Sequence, residues 1–148
     1  MELRIRPKSD YLHKASFENL YILTEHWKSD IDFYRDELRF LHTLIDKYFI
    51  WMIKEGNISK VQSLSNKLSK IIDQKKELFN TINKHLLHLE ELIENSFSHD
   101  EKMFRDEHEI LEDEFTEFVK NFKVLKKEIF AITEHVIEDE KLKYLLTL

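Results

Sequence analysis

Apolar side chains recur at alternating steps of three and four residues along three segments of the chain, and no other feature constrains the fold as tightly. The first runs Phe17, Leu20, Thr24, Trp27, Ile31, Tyr34, Leu38, Leu41, Ile45, Tyr48 and Met52, with Thr24 its one polar member. Such steps average close to one helical turn, so these side chains share one face of a helix. The second segment reads Val61, Leu64, Leu68, Ile71, Lys75, Leu78, Ile82, His85, Leu89 and Leu92. A companion row, Ile72, Phe79, Leu86 and Ile93, widens that stripe to suit two packing neighbours. The third reads Phe104, His108, Leu111, Phe115, Phe118, Phe122, Leu125, Ile129, Ile132 and Val136. Of these 31 positions 27 are apolar or aromatic, a rhythm that decides for helix over strand.

The punctuation falls between the stripes. Gly56 can adopt the left-handed conformation that ends a helix, and Asn57 can cap the next one. Ser98 with Glu101 matches a capping box, and Asp100 and Glu101 set negative charge at the positive end of the third helix. Pro7 and Ser9-Asp10 allow the first helix to begin early. One glycine and one proline in 148 residues exclude an all-β chain, which needs turn residues every few positions. The expected fold is therefore all-α: an antiparallel up-down-up bundle of three long helices, about 10 or 16 to 54, 58–96 and 99–140. One domain spans 1–148, with an N-terminal arm at 1–9 and a C-terminal tail at 141–148. The tail, with Leu142, Tyr144, Leu145, Leu146 and Leu148, either extends the third helix or turns back as a short fourth element.

Some apolar residues lie off the seam. With Phe17 as heptad position a, Phe33 and Phe40 fall at c, while Leu23, Leu44 and Trp51 share column g with Asp30 and Glu37. On the third helix Ile110, Val124 and Ala131 fall at c, and Phe130 and Ile137 at b. One reading covers them with the arm (Leu3, Ile5, Tyr11, Leu12) or the tail. The other makes Phe33, Phe40, Leu44 and Trp51 an interaction face for a second copy of the chain or another protein.

Thr24, Lys75, His85 and His108 interrupt the seams. Lys75 can carry its ammonium out to water on its flexible stem. Across the second turn, residues whose numbers total roughly 193–197 lie side by side, which brings His85 within about a turn of His108. Across the first turn His85 falls near Trp27 and Thr24, with Glu25, His26, His88 and Glu112 close by. Imidazoles and carboxylates on facing helices can bind Zn, Fe or Mn, so His85, His108, Glu112 and His26 are the metal candidates. The alternative pairs the histidines with each other, with Trp27 or with a carboxylate, and so fixes helix register. No Glu-x-x-His or His-x-x-x-His occurs in the chain to strengthen the metal reading.

Several chemistries are excluded outright. The chain has no cysteine, hence no thiol nucleophile, disulfide or thiolate metal site. A glycine-rich phosphate loop cannot be built from one glycine. Ser63, Ser65 and Ser69 sit in a helical run without the elbow that activates a hydrolase serine. A net charge of −6 is the wrong sign for a phosphate-backbone binder, although Lys67, Lys70, Lys75 and Lys76 form a modest basic patch. The longest apolar run, Tyr48 to Ile53, is far too short to span a bilayer. The N-terminus lacks the apolar stretch of a secretion signal, so a cytoplasmic location is expected.

The stretch Glu25-His-Trp27-Lys-Ser-Asp30-Ile31-Asp-Phe33-Tyr34-Arg-Asp-Glu37-Leu38 resembles the first helix of a group of small uncharacterised bacterial helical-bundle proteins. That helix carries a Trp, an acid followed by Ile or Leu, Phe-Tyr, and Glu followed by Leu or Ile at this spacing. The resemblance implies a helical bundle and carries no activity or site residues. Spectrin-type repeats share the architecture and a core Trp in the first helix. The third stripe here has no Trp and no second repeat follows, so that likeness is one of architecture.

The sequence thus points to a non-enzymatic protein acting through protein contacts, as a homodimer or adaptor. It points to no cofactor, nucleic acid, membrane or small-molecule substrate. The competing reading is a metal-binding bundle centred on His85 and His108.

Overall fold

The computed structural model describes residues 15–54, 56–94 and 101–147, with side chains described as far as residue 138. Three helices account for nearly all of them: α1 (Phe17–Lys54), α2 (Ile58–Glu94) and α3 (Glu101–Thr147). They pack against each other as an all-α bundle, and the described residues include no strand. Ser16 caps α1, its Oγ accepting from the Asn19 amide at 3.2 Å. The first connection closes as the sequence predicts. Gly56 sits at φ 77°, its amide bonds Ile53 O at 3.0 Å, and the Asn57 amide bonds Met52 O at 3.2 Å. These two bonds form a Schellman ending, which satisfies carbonyls that a bare helix end leaves orphaned. Of the two expected starts for α1 the structure gives the one at 16 and not the one near 10, because Ser16 caps it. The N-terminal arm and the Ser98 half of the capping box lie outside the described residues. At the other end the structure corrects one alternative: residues 141–147 continue α3 and do not turn back as a fourth element. No proline or glycine interrupts α3 there, so nothing in the sequence stops the helix.

The described residues form two compact units, each containing a segment of every helix. In the first (residues 1–34 and 74–119), side-chain contacts give the helix directions. Tyr21 meets Glu90 and Lys28 lies over Phe79, so α1 and α2 run antiparallel. Phe17 meets Phe104 and Tyr34 meets Phe118, so α1 and α3 run parallel. Leu20, Trp27, Ile31, Ile82, Leu89, Phe104, Phe115 and Phe118 fill its centre. In the second (residues 35–73 and 120–148), Lys67 of α2 bonds Glu128 of α3 at 3.2 Å, and Lys126 of α3 bonds Glu37 of α1 at 2.7 Å. Its core holds Leu38, Leu41, Met52, Leu64, Leu68, Leu125, Ile129 and Val136.

Of the 31 seam positions 28 are buried and none is exposed; Phe17, Tyr48 and Lys75 are half-buried. The polar members Thr24, His85 and His108 go inside with the rest. The Thr24 hydroxyl donates to Leu20 O at 2.7 Å, which satisfies it within its own helix. One row was not visible in the apolar pattern. On α3 the residues following the seam, Arg105, Glu112, Val119 and Thr133, are buried, and Lys126 of the same row is half-buried. This row faces α1, because Arg105 reaches Ala15 O and Lys126 reaches Glu37.

Two substitutions test this account by urea denaturation. Phe118→Ala removes a fully buried ring and should cost about 3–5 kcal/mol. Gly56→Ala meets no neighbouring atom but is held at positive φ, so it should cost only about 1 kcal/mol.

Candidate functional site

The heptad positions of α2 and α3 put two imidazoles inside the first unit. His108 is fully buried and His85 is 7% exposed. His85 Nε2 and His108 Nδ1 lie 2.7 Å apart, so one ring donates its N–H to the bare nitrogen of the other. Aromatic rings hold the pair on both sides. Phe104 stacks on His85 with centroids 4.6 Å apart, and Trp27 stacks on His108 at 5.0 Å. Phe115 backs Trp27 at 5.5 Å, and His88 meets Phe104 edge-on. Burial, with a smaller contribution from nearby His88, lowers the His85 pKa to about 4, so its ring is neutral at pH 7.

Of the four metal candidates the structure joins two. His85 and His108 meet; Glu112 is buried one turn beyond His108 on α3; His26 is exposed on α1. The expectation that His26 joins this end of the bundle is therefore not met, because its position next to Trp27 turns it away from the seam. Two imidazole nitrogens on a tetrahedral zinc lie about 3.3 Å apart, given Zn–N near 2.0–2.1 Å. A separation of 2.7 Å is that of a hydrogen bond. Among the described residues no group of three or more His, Asp or Glu is placed to hold a metal ion.

Beside the pair, α2 and α3 leave a groove of about 280 Å³ with His85 and Leu111 among its lining. Lys84 and His88 stand on its α2 side, Glu107 and Glu114 on its α3 side. Lys84 thus faces carboxylates across it, and His88 Nδ1 lies 3.9 Å from a Glu107 carboxylate oxygen. The volume is at the lower end of what small-molecule sites enclose. A ring whose conjugate acid has a pKa near 4 is a weak general base at neutral pH. The arrangement joins α2 to α3 through a hydrogen bond inside the core.

Next to the pair Arg105 ties the start of α3 to α1. Its Nη1 donates to Ala15 O at 2.8 Å, its Nη2 pairs with Glu101 at 3.0 Å, and its guanidinium lies 4.8 Å from the Phe17 ring centre. Hydrophobic periodicity does not single out this residue, whose charge disguises a buried stem.

The interaction face is divided between the units. Phe33, in the first, is 53% exposed. In the second, Phe40 is 51% and Trp51 36% exposed, while Leu44 is half-buried. On α3 of that unit Phe130 is exposed too, its ring 5.4 Å from Lys126 Nζ, the cation that bonds Glu37 of α1.

Arg105→Met should keep the packing on Phe17 and lose the polar contacts, at a cost of about 1–3 kcal/mol in thermal or urea denaturation. Glu101→Gln, at a well-exposed partner, should cost less than about 1 kcal/mol. Equal losses would show that the ion pair, not the Ala15 carbonyl contact, holds this end.

Comparison with protein families, with curated proteins and with solved structures gave no match to the chain.

Proposed function

We propose that this is a non-enzymatic helical-bundle protein that acts through protein contacts, pairing with a second copy of itself through the aromatic side of α1. The observation that carries the reading is the exposure of Phe40 and Trp51 with half-buried Leu44 beside a seam that is already full. Phe33 continues the same heptad column one repeat earlier. Phe130 supplies a further aromatic group from α3. Exposed apolar groups of this size, grouped on one side, usually mark a contact surface. The charged groups beside them, Glu37 and Lys126, pair with each other at 2.7 Å.

The non-enzymatic part rests on the absence of nucleophile and phosphate-loop motifs in the sequence and on the weak basicity of His85. Among the described residues no helix is long and apolar enough to cross a membrane.

Sedimentation equilibrium at high micromolar concentration tests the reading. The native chain should show a mass approaching two chains, and Phe40→Glu should weaken the association at least tenfold. A native mass of one chain across that range would refute self-association.

A further inference from the structure

Among the described histidines, His26, His42 and His135 are exposed and His88 is half-buried; only His85 and His108 lie inside a core. Their contact has a fixed proton capacity. In the neutral pair one proton occupies the 2.7 Å space between Nε2 and Nδ1. A first added proton goes to an outer ring nitrogen and leaves that contact intact, but places a positive charge between Trp27 and Phe104. A second must enter the contact itself, where two N–H groups then face each other at a distance only a donor and an acceptor can share.

The surroundings do little to accommodate the second proton. From α2 the pair has Lys84 and His88 nearby, and His88 acts on His85 as a like charge. From α3 it has Glu107 and Glu114 at the rim of the groove, and Glu112 buried one turn from His108. Arg105 is engaged with Ala15 and Glu101. From α1 the pair meets uncharged Trp27, and the titratable residues of that turn, Glu25 and His26, are exposed.

We propose that the His85–His108 contact is a proton-operated latch on the first unit, closed while the two rings share one proton and released when acid supplies one to each facing nitrogen. The lowered basicity of His85 agrees with this. Because the unfolded chain takes up protons near pH 6.5 and the closed pair resists them, stability is present above that pH and is lost as pH falls from 6.5 toward 4. Each proton taken up on opening raises the opening constant about tenfold per pH unit over that window. The latch stands independently of self-association.

Hydrogen exchange of the full chain at pH 7 and pH 5, corrected for intrinsic amide rates, tests it. Opening of peptides from 15–34, 74–94 and 101–119 should rise at least tenfold beyond any change in 35–54 and 120–138. The double variant His85→Leu/His108→Phe, which replaces both partners with apolar groups, should abolish that difference. An equal response of the two units, or its persistence in the variant, overturns the proposal. Should the variant fail to fold, the imidazole NMR resonances of the native chain decide. At most one ring should protonate in the folded state, and the second should do so only with opening. Titration of both near pH 6.5 in a folded first unit overturns the latch.

Discussion

Burial of an unbroken three–four seam is the constraint on which the rest of this protein depends. Each long helix carries about ten seam side chains, and almost all of them lose contact with water. At roughly 1.5–3 kcal/mol for each fully buried apolar side chain, the seam outweighs any single cap, ion pair or turn in holding the helices. Local signals agree with it: the Ser16 cap and the Gly56 ending lie just outside the stripes they bound. Where propensity, capping and pattern point the same way, a chain has few competing folds.

Two imidazoles in the middle of such a seam need a physical reason. A buried polar group left without a partner costs about 1–3 kcal/mol, and the hydrogen bond between the two rings offsets part of that cost. His85 and His108 each supply what the other lacks, but only when α2 and α3 sit in one register. A slip by one heptad would set His108 against Leu78 or Leu92 and break the contact between the rings. The pair therefore acts against misalignment, much as a buried polar residue does in a coiled coil. The same geometry makes the contact sensitive to acid, because a device that specifies register through one shared proton fails when protons are abundant.

Much of this was legible in the residues. The seam of α3, from Phe104 to Val136, is buried at every position, and the rule that facing residues total about 193–197 brought His85 within about a turn of His108, which it meets directly. The buried row Arg105, Glu112, Val119 and Thr133 was not legible, because three of its members are polar and hydrophobic periodicity is blind to them. Their burial follows from a third helix that packs on two neighbours, and from long side chains whose stems lie in the interface while their heads find partners. His26 misled for the opposite reason. Closeness in sequence to Trp27 says nothing about facing the same way, since consecutive helical residues point about 100° apart. The course of the tail was undecidable from pattern alone, as an apolar run without glycine or proline suits both an extended helix and a packed return.

The register between α2 and α3 is the central claim, and the absence of cysteine from the chain makes it directly measurable. Paired cysteines at Lys67 and Glu128, whose side chains meet at 3.2 Å, should be joined efficiently by a short thiol-reactive crosslinker. Cysteines at Lys67 and Asn121, one heptad and about 10 Å out of step, should not be. Efficient crosslinking of the second pair and failure of the first would contradict the seam alignment and every contact built on it.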